Sequence, residues 1–132
     1  MAIPERRWIG AAAVLLALAV AGDAPAAREP QPERPVIRIS AERFSFTPSR
    51  ITLAVGDEVE IRIASQDTAH GFRIVGSETE IVVPKRGSGD ASVIFRAEKA
   101  GRLTFECNRM CGAGHNFMRG EIVVEPRGGP VR

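Results

Sequence analysis

From Val36 to Pro126 the chain keeps a period of two. "VIRIS", "RITLAV", "EVEIRIAS", "GFRIV", "EIVVP", "ASVIFRA", "GRLTFEC" and "GEIVVEP" are short runs rich in Val, Ile, Phe and Thr. That period puts every second side chain on one face of an extended strand. A helix needs spacings of three and four, which no run from Val36 onward supplies. Gly, Pro, Ser and Asp punctuate the runs: "AVGDE" and "EKAGR" have turn chemistry, and "KRGSGDA" that of a longer loop. Short strands at this interval predict an all-β fold, a sandwich or small barrel with Greek-key connections. The inward positions expected to form its core are Ile61, Ile63, Ile74, Val93, Phe95, Leu103, Phe105, Ile122 and Val124.

The residues before Val36 are different in kind. Arg6 and Arg7 precede an uninterrupted apolar run, "IGAAAVLLALAVAG" at 9–22, and small residues around Ala24 and Ala26 follow it. That order predicts an export signal over 1–26. The run is shorter than the ~20 apolar residues of a spanning helix, so cleavage and retention as a single membrane anchor are both open. Either outcome puts the remaining chain in the periplasm or on the outer face of the cytoplasmic membrane. Residues 27–35 are Pro-rich and aperiodic, as in an extended linker. The expected organisation is therefore signal or anchor 1–26, linker 27–35, β-domain 36–126 and a tail over 127–132. A net charge of +2 from scattered residues, with no Tyr and one Trp, gives neither a basic stripe nor a stacking platform, and excludes a nucleic-acid partner.

Chemistry is concentrated elsewhere. "CNRMCGAGHNFM", Cys107–Met118, holds both cysteines, one of the two histidines and two of the three methionines. A disulfide is the default for cysteines of an exported chain, but Cys107 and Cys111 are so close that a bridge would constrain almost nothing. As thiolate ligands they make better sense. With His115 and Met118 they form a soft donor set that favours copper, with zinc as the rival. Gly112 and Gly114 permit the tight turn that returns His115 and Met118 toward the cysteines. Zinc sites pair their ligands closely and would leave Met118 unused. A thiol hydrolase draws its Cys and His from distant segments and needs an oxyanion site, for which there is no motif.

The other histidine, His70 in "DTAHGF", would ordinarily be a surface or hydrogen-bonded residue. It is also the one available donor from another strand. Met118 could fill a core gap, Phe117 is expected to pack, and Met110 to shield the site. Asn108 and Asn116 are expected to satisfy loop backbone or orient ligands.

The pattern C-x3-C-x3-H-x2-M, preceded by "DTAHGF", resembles the dinuclear copper (CuA) domain of cytochrome c oxidase subunit II, a cupredoxin. The resemblance runs from Phe44 through Glu125. It implies a cupredoxin sandwich holding two copper ions, with Cys107 and Cys111 bridging them, His70 and His115 each on one ion, and Met118 a weaker ligand. A backbone carbonyl between the cysteines serves the other ion in that family, and its counterpart here is Arg109, where a glutamate is usual. Electron transfer between a donor and acceptor redox protein follows from the same resemblance, the acceptor being an oxidase catalytic subunit, so the chain would not be catalytic alone. The chain departs from the family in its single short apolar segment and in lacking the tryptophan-rich stretch. Arg73, Arg109 and Arg119 near the ligand loops favour an acidic partner over a basic one. Two other readings stay open: a mononuclear type 1 carrier built from His70, Cys111, His115 and Met118, and an envelope copper-binding or delivery protein.

Overall fold

The structure is a computed structural model that describes residues 33–128. The segment expected to be a signal or anchor, 1–26, lies outside the described residues, as do the linker before Glu33 and residues 129–132.

Among the described residues nine strands form, in chain order β1 (Val36–Glu42), β2 (Ser45–Thr47), β3 (Arg50–Ala54), β4 (Glu58–Ser65), β5 (His70–Ile74), β6 (Glu80–Val83), β7 (Ala91–Arg96), β8 (Gly101–Glu106) and β9 (Arg119–Glu125). Among the described residues the sole helical element is a single 3-10 turn, His115–Phe117. Eight of the strands coincide with the eight alternating runs. The ninth, β2, is three residues long and bounded by Pro48, too short for alternation to reveal.

The strands lie in two mixed sheets, ordered β2-β1-β4-β7 and β3-β9-β8-β5-β6. Each sheet has one parallel pair, β1 with β4 and β3 with β9, among antiparallel neighbours. The links β2–β3, β3–β4, β4–β5, β6–β7 and β7–β8 all cross between sheets, as in a Greek-key sandwich. The burial of β4 alternates without a fault along its length, with Val59, Ile61, Ile63 and Ser65 inward. Residues from both sheets form one buried cluster, each large apolar side chain stabilising the fold by roughly 1.5–3 kcal/mol.

Seven of the nine expected core residues are buried. Val93 and Leu103 are only partly covered but pack against the same cluster. At its centre the rings of Phe46 (β2), Phe72 (β5) and Phe105 (β8) sit 5.3–5.7 Å apart, two of the three contacts edge-on, the arrangement that ring quadrupoles favour. The topology brings the C-terminal ends of β1, β4 and β8 and the N-terminal ends of β5 and β9 to one end of the sandwich. Phe72 and Phe105 are each two residues from a chemistry-bearing side chain at that end, His70 and Cys107, so the aromatic cluster braces the base of the site.

Candidate metal centre

The strand ends dictate what meets there. β8 delivers Cys107 immediately after Glu106, and the chain returns at Arg119 as β9. Between them the loop is closed at its neck by the Cys107 amide donating to the Met118 carbonyl (3.0 Å). Inside the loop His115 N–H donates to Gly112 O, Phe117 N–H to Gly114 O and Met118 N–H to His115 O. Those bonds turn the backbone so that His115 and Met118 face back to the cysteines.

His70 arrives from the other side. After β4 the Ser65 hydroxyl donates to the Thr68 carbonyl (2.5 Å) and accepts from the Asp67 amide (3.2 Å), making a tight turn that starts β5 at His70.

The cysteines are free thiols with their sulfurs 3.8 Å apart. That is far beyond the ~2.05 Å of a disulfide, and a gap that metal–sulfur bonds of about 2.3 Å can bridge. Cys111 Sγ also lies 3.9 Å from His115 Nδ1 and 3.9 Å from Met118 Sδ. The ligand atoms of His70, Cys107 and Cys111 all fall within 4.8 Å of one another. Arg109 presents its carbonyl oxygen 3.1 Å from Cys107 Sγ. Each of the other residues singled out in the sequence, His70, Arg109, His115 and Met118, thus has a donor atom within 4.8 Å of a Cys107 or Cys111 sulfur.

Burial and hydrogen bonding test whether this group suits a metal. His70 is 0% exposed, and its Nε2 lies 2.7 Å from Asp67 Oδ1. A carboxylate only accepts, so Nε2 carries the proton and Nδ1 of the neutral ring keeps a lone pair. That Nδ1 is buried without a hydrogen-bond partner. A buried unsatisfied nitrogen is costly unless something absent from a bare chain pairs with it. Beside two buried sulfurs, the missing partner fits a soft metal ion, with Asp67 as the carboxylate that orients a ligating imidazole.

Electrostatics agree with this division of labour. Burial raises the Asp67 carboxyl, but bonds from His70 and from the backbone of Arg43 and Thr68 outweigh it and bring it down to about 2. It is therefore a fixed anion. Burial and the neighbouring Cys107 push the Cys111 thiol up to about 11 in the metal-free chain.

Asp67 opens the "DTAHGF" stretch but had no role of its own there, and two further contributors carried no sequence signal. Arg43 donates from Nε to the Cys111 carbonyl (2.8 Å), and its amide donates to Asp67 Oδ2 (3.0 Å). The Phe44 ring lies under the ligand loop, where a Cβ on Gly112 or Gly114 would come within 2.9 or 2.3 Å of it. Gly71 is equally constrained. A Cβ there would meet Asn108 Oδ1 at 2.0 Å, and its amide donates to Cys107 Sγ (3.4 Å).

One expectation needs correction: Phe117 does not pack, being 80% exposed because the 3-10 turn directs it outward. Met110 is 75% exposed. The mouth of the site is a cavity of about 250 Å³ lined by Arg73, Glu106, Cys107, Asn108, His115, Asn116, Met118 and Arg119. Glu106 bonds Arg73 (2.6 Å) and lies 3.8 Å from Arg119.

The sequence model of a family described as a cupredoxin-like domain matches residues 10–124. Cytochrome c oxidase subunit 2 of Thermus thermophilus is 31% identical over 96 residues, covering 71% of this chain and 68% of that protein. Among solved structures, a chain of a heme-copper terminal oxidase dimer is 28% identical with a TM-score of 0.61, covering 69% of this chain and 65% of its own. Auracyanin A, a "blue" copper protein of Chloroflexus aurantiacus, is 18% identical with a TM-score of 0.54, over 70% of this chain and 100% of its own, and shares the fold.

Proposed function

The chain belongs to the cupredoxin-like family and is related to subunit 2 of cytochrome c oxidase, and from that premise we propose that it is a copper-binding electron-transfer protein with a dinuclear, CuA-type centre. The observation that carries the reading is the pair of buried, reduced thiols 3.8 Å apart with a ring nitrogen of His70 within 4.8 Å of both, in a ring whose Nδ1 has no hydrogen-bond partner. Cys107, Cys111, His70, His115, Met118 and the Arg109 carbonyl would hold the copper. Copper held there supplies a one-electron carrier.

The protein's part is to keep the donors still. Asp67 holds the proton on His70 Nε2 and so keeps Nδ1 aimed inward. Cys107 and Cys111 give up their protons on loading. The packed base of Phe72 and Phe105 and the buried Met118 exclude water. A cage with the same shape in both charge states asks for little reorganisation when an electron arrives.

Electrons would cross the surface beside half-buried His115, where Phe117 is exposed. The partners are a donor and an acceptor redox protein, the acceptor being the catalytic subunit of a terminal oxidase, where oxygen is reduced. Around the mouth, Glu106 is shared by Arg73 and Arg119, and Arg109 has no carboxylate partner among the described ion pairs. The face is therefore net positive and suits an acidic partner. Residues 1–26 direct export, leaving the domain, 36–126, in the periplasm or held to the outer face of the cytoplasmic membrane through 9–22.

The test is copper per chain together with the EPR spectrum of the oxidised full-length protein. Two coppers sharing one unpaired electron support the reading. One copper with a signal confined to a single nucleus overturns it in favour of a type 1 site centred on Cys111.

A further inference from the structure

The two-residue turn between β1 and β2, Arg43–Phe44, belongs to the four-stranded sheet, yet it touches both halves of a site built on the five-stranded one. Its amide donates to Asp67, the carboxylate that orients His70. Its guanidinium donates to the carbonyl of Cys111, a residue 68 positions away. The next side chain, Phe44, fills the space under Gly112 and Gly114. The donor loop and the His70 end of β5, joined directly by the Gly71 amide donating to Cys107 Sγ, thus share a second brace from outside their sheet. The guanidinium has no carboxylate partner among the described ion pairs, so its charge is not cancelled by a bridge. Asp67, the carboxylate that accepts from the Arg43 backbone amide, is already committed to His70. Core packing does not need this side chain either, since Arg43 is exposed and Ala41 and Phe46 carry the local burial.

We propose that Arg43 is a positioning residue of the metal centre, which clamps the Cys111 end of the ligand loop to the Asp67–His70 pair and biases the occupied site toward its reduced state through its fixed positive charge. The bias follows from charge alone. Taking up one electron makes the site one unit more negative, and a cation held nearby stabilises that form. The proposal rests on the copper reading for its redox half and on the bare chain for its positioning half.

Two variants of the full chain separate the halves. Arg43→Gln removes the charge, and Arg43→Lys keeps the charge but loses the planar fork. Hydrogen exchange of amides 112–118 in metal-free protein reads the clamp, and the midpoint potential of copper-loaded protein reads the charge. The expected result is at least threefold faster loop exchange in both variants, a lower potential in Arg43→Gln, and a potential close to wild type in Arg43→Lys. Unchanged exchange in both variants overturns the clamp. Equal potentials in wild type and Arg43→Gln, or an equal drop in both variants, overturn the charge bias. A wild-type protein that takes up no copper counts against the copper reading and, with it, the redox half, while the exchange data still decide the clamp.

Discussion

The two ends of the sandwich use the same residue type for opposite reasons. At the site end, Gly71 and Gly114 are glycine because a neighbouring side chain occupies the space where a Cβ would stand, 2.0 Å from Asn108 and 2.3 Å from Phe44 respectively. At the far end, Gly76 has open space around it but a φ of +81°, which other residues adopt reluctantly. One end is packed so that donors cannot wander. The other is built merely to turn. If the site end is a rigid cage, disturbances there should register in metal binding before stability, and disturbances at the far end in stability alone.

The sharpest way to break that contrast is at the thiols. Cys107→Ser keeps a polar group of similar size at a position 4% exposed but removes one soft donor. Copper content should fall from two per chain to one or none, and any remaining EPR signal should localise on a single nucleus. Two coppers per chain in this variant would mean that Cys107 is no ligand. Asp67→Ala comes next, because it leaves every proposed ligand in place and removes only the group that orients His70. Copper affinity should drop by about 10- to 100-fold, the usual effect of losing such a partner, as read by competition with a copper chelator. A melting temperature that falls as far as the affinity would place Asp67 in the fold rather than the site.

Proton release sharpens the same point. Cys111 holds its proton up to about pH 11 in the metal-free chain, so at neutral pH an incoming ion must displace it. Binding therefore weakens as pH falls, by about tenfold per pH unit for each proton displaced. Titration between about pH 8 and pH 6 with a pH-sensitive dye would show protons released on loading. No release would remove the thiolates from the donor set.

What could be read in the sequence divides along the same line. Strands are legible because burial alternates with the backbone itself, as in β4, where every second residue is inward. The donor loop is legible because its soft atoms fall within twelve consecutive residues. Arg43 and Phe44 were invisible because their roles exist only after two sheets close on each other. The bond from Arg43 to Cys111 spans 68 positions and has no local signature. Phe117 misled for a related reason: an aromatic beside buried residues suggests packing, but the 3-10 turn decides which way it points.

A matched pair of glycine variants probes the contrast directly. Gly114→Ala drives a methyl against the Phe44 ring, and overpacking of this kind typically destabilises by ~1–3 kcal/mol. Because the strain falls on the donor loop, copper should also dissociate faster. Gly76→Ala forces a side chain into a left-handed conformation at a cost of about 1 kcal/mol, with copper dissociation unchanged. Equal effects on dissociation would erase the distinction between the two ends.

The smallest effect belongs to neither end but to the outward face of the four-stranded sheet. Glu58 there is held below its ordinary carboxylate value by hydrogen bonds from Arg96 and Arg34. A carboxyl lowered by folding stabilises the fold fully above its unfolded value, near 4.5, and loses that contribution as pH falls through the folded one. Both arginines are well exposed, so water and salt screen the pair and its worth is slight. Arg96→Ala should therefore lower the melting temperature only a little at neutral pH and low salt. The gap should close in acid, where Glu58 is protonated in both proteins, and at about 1 M salt, where the screening length shrinks to ~3 Å. Copper affinity should not move at all. A change in affinity would mean that charge on this face reaches the site through the sheet, and the cage would then be less insulated from the rest of the molecule than its packing implies.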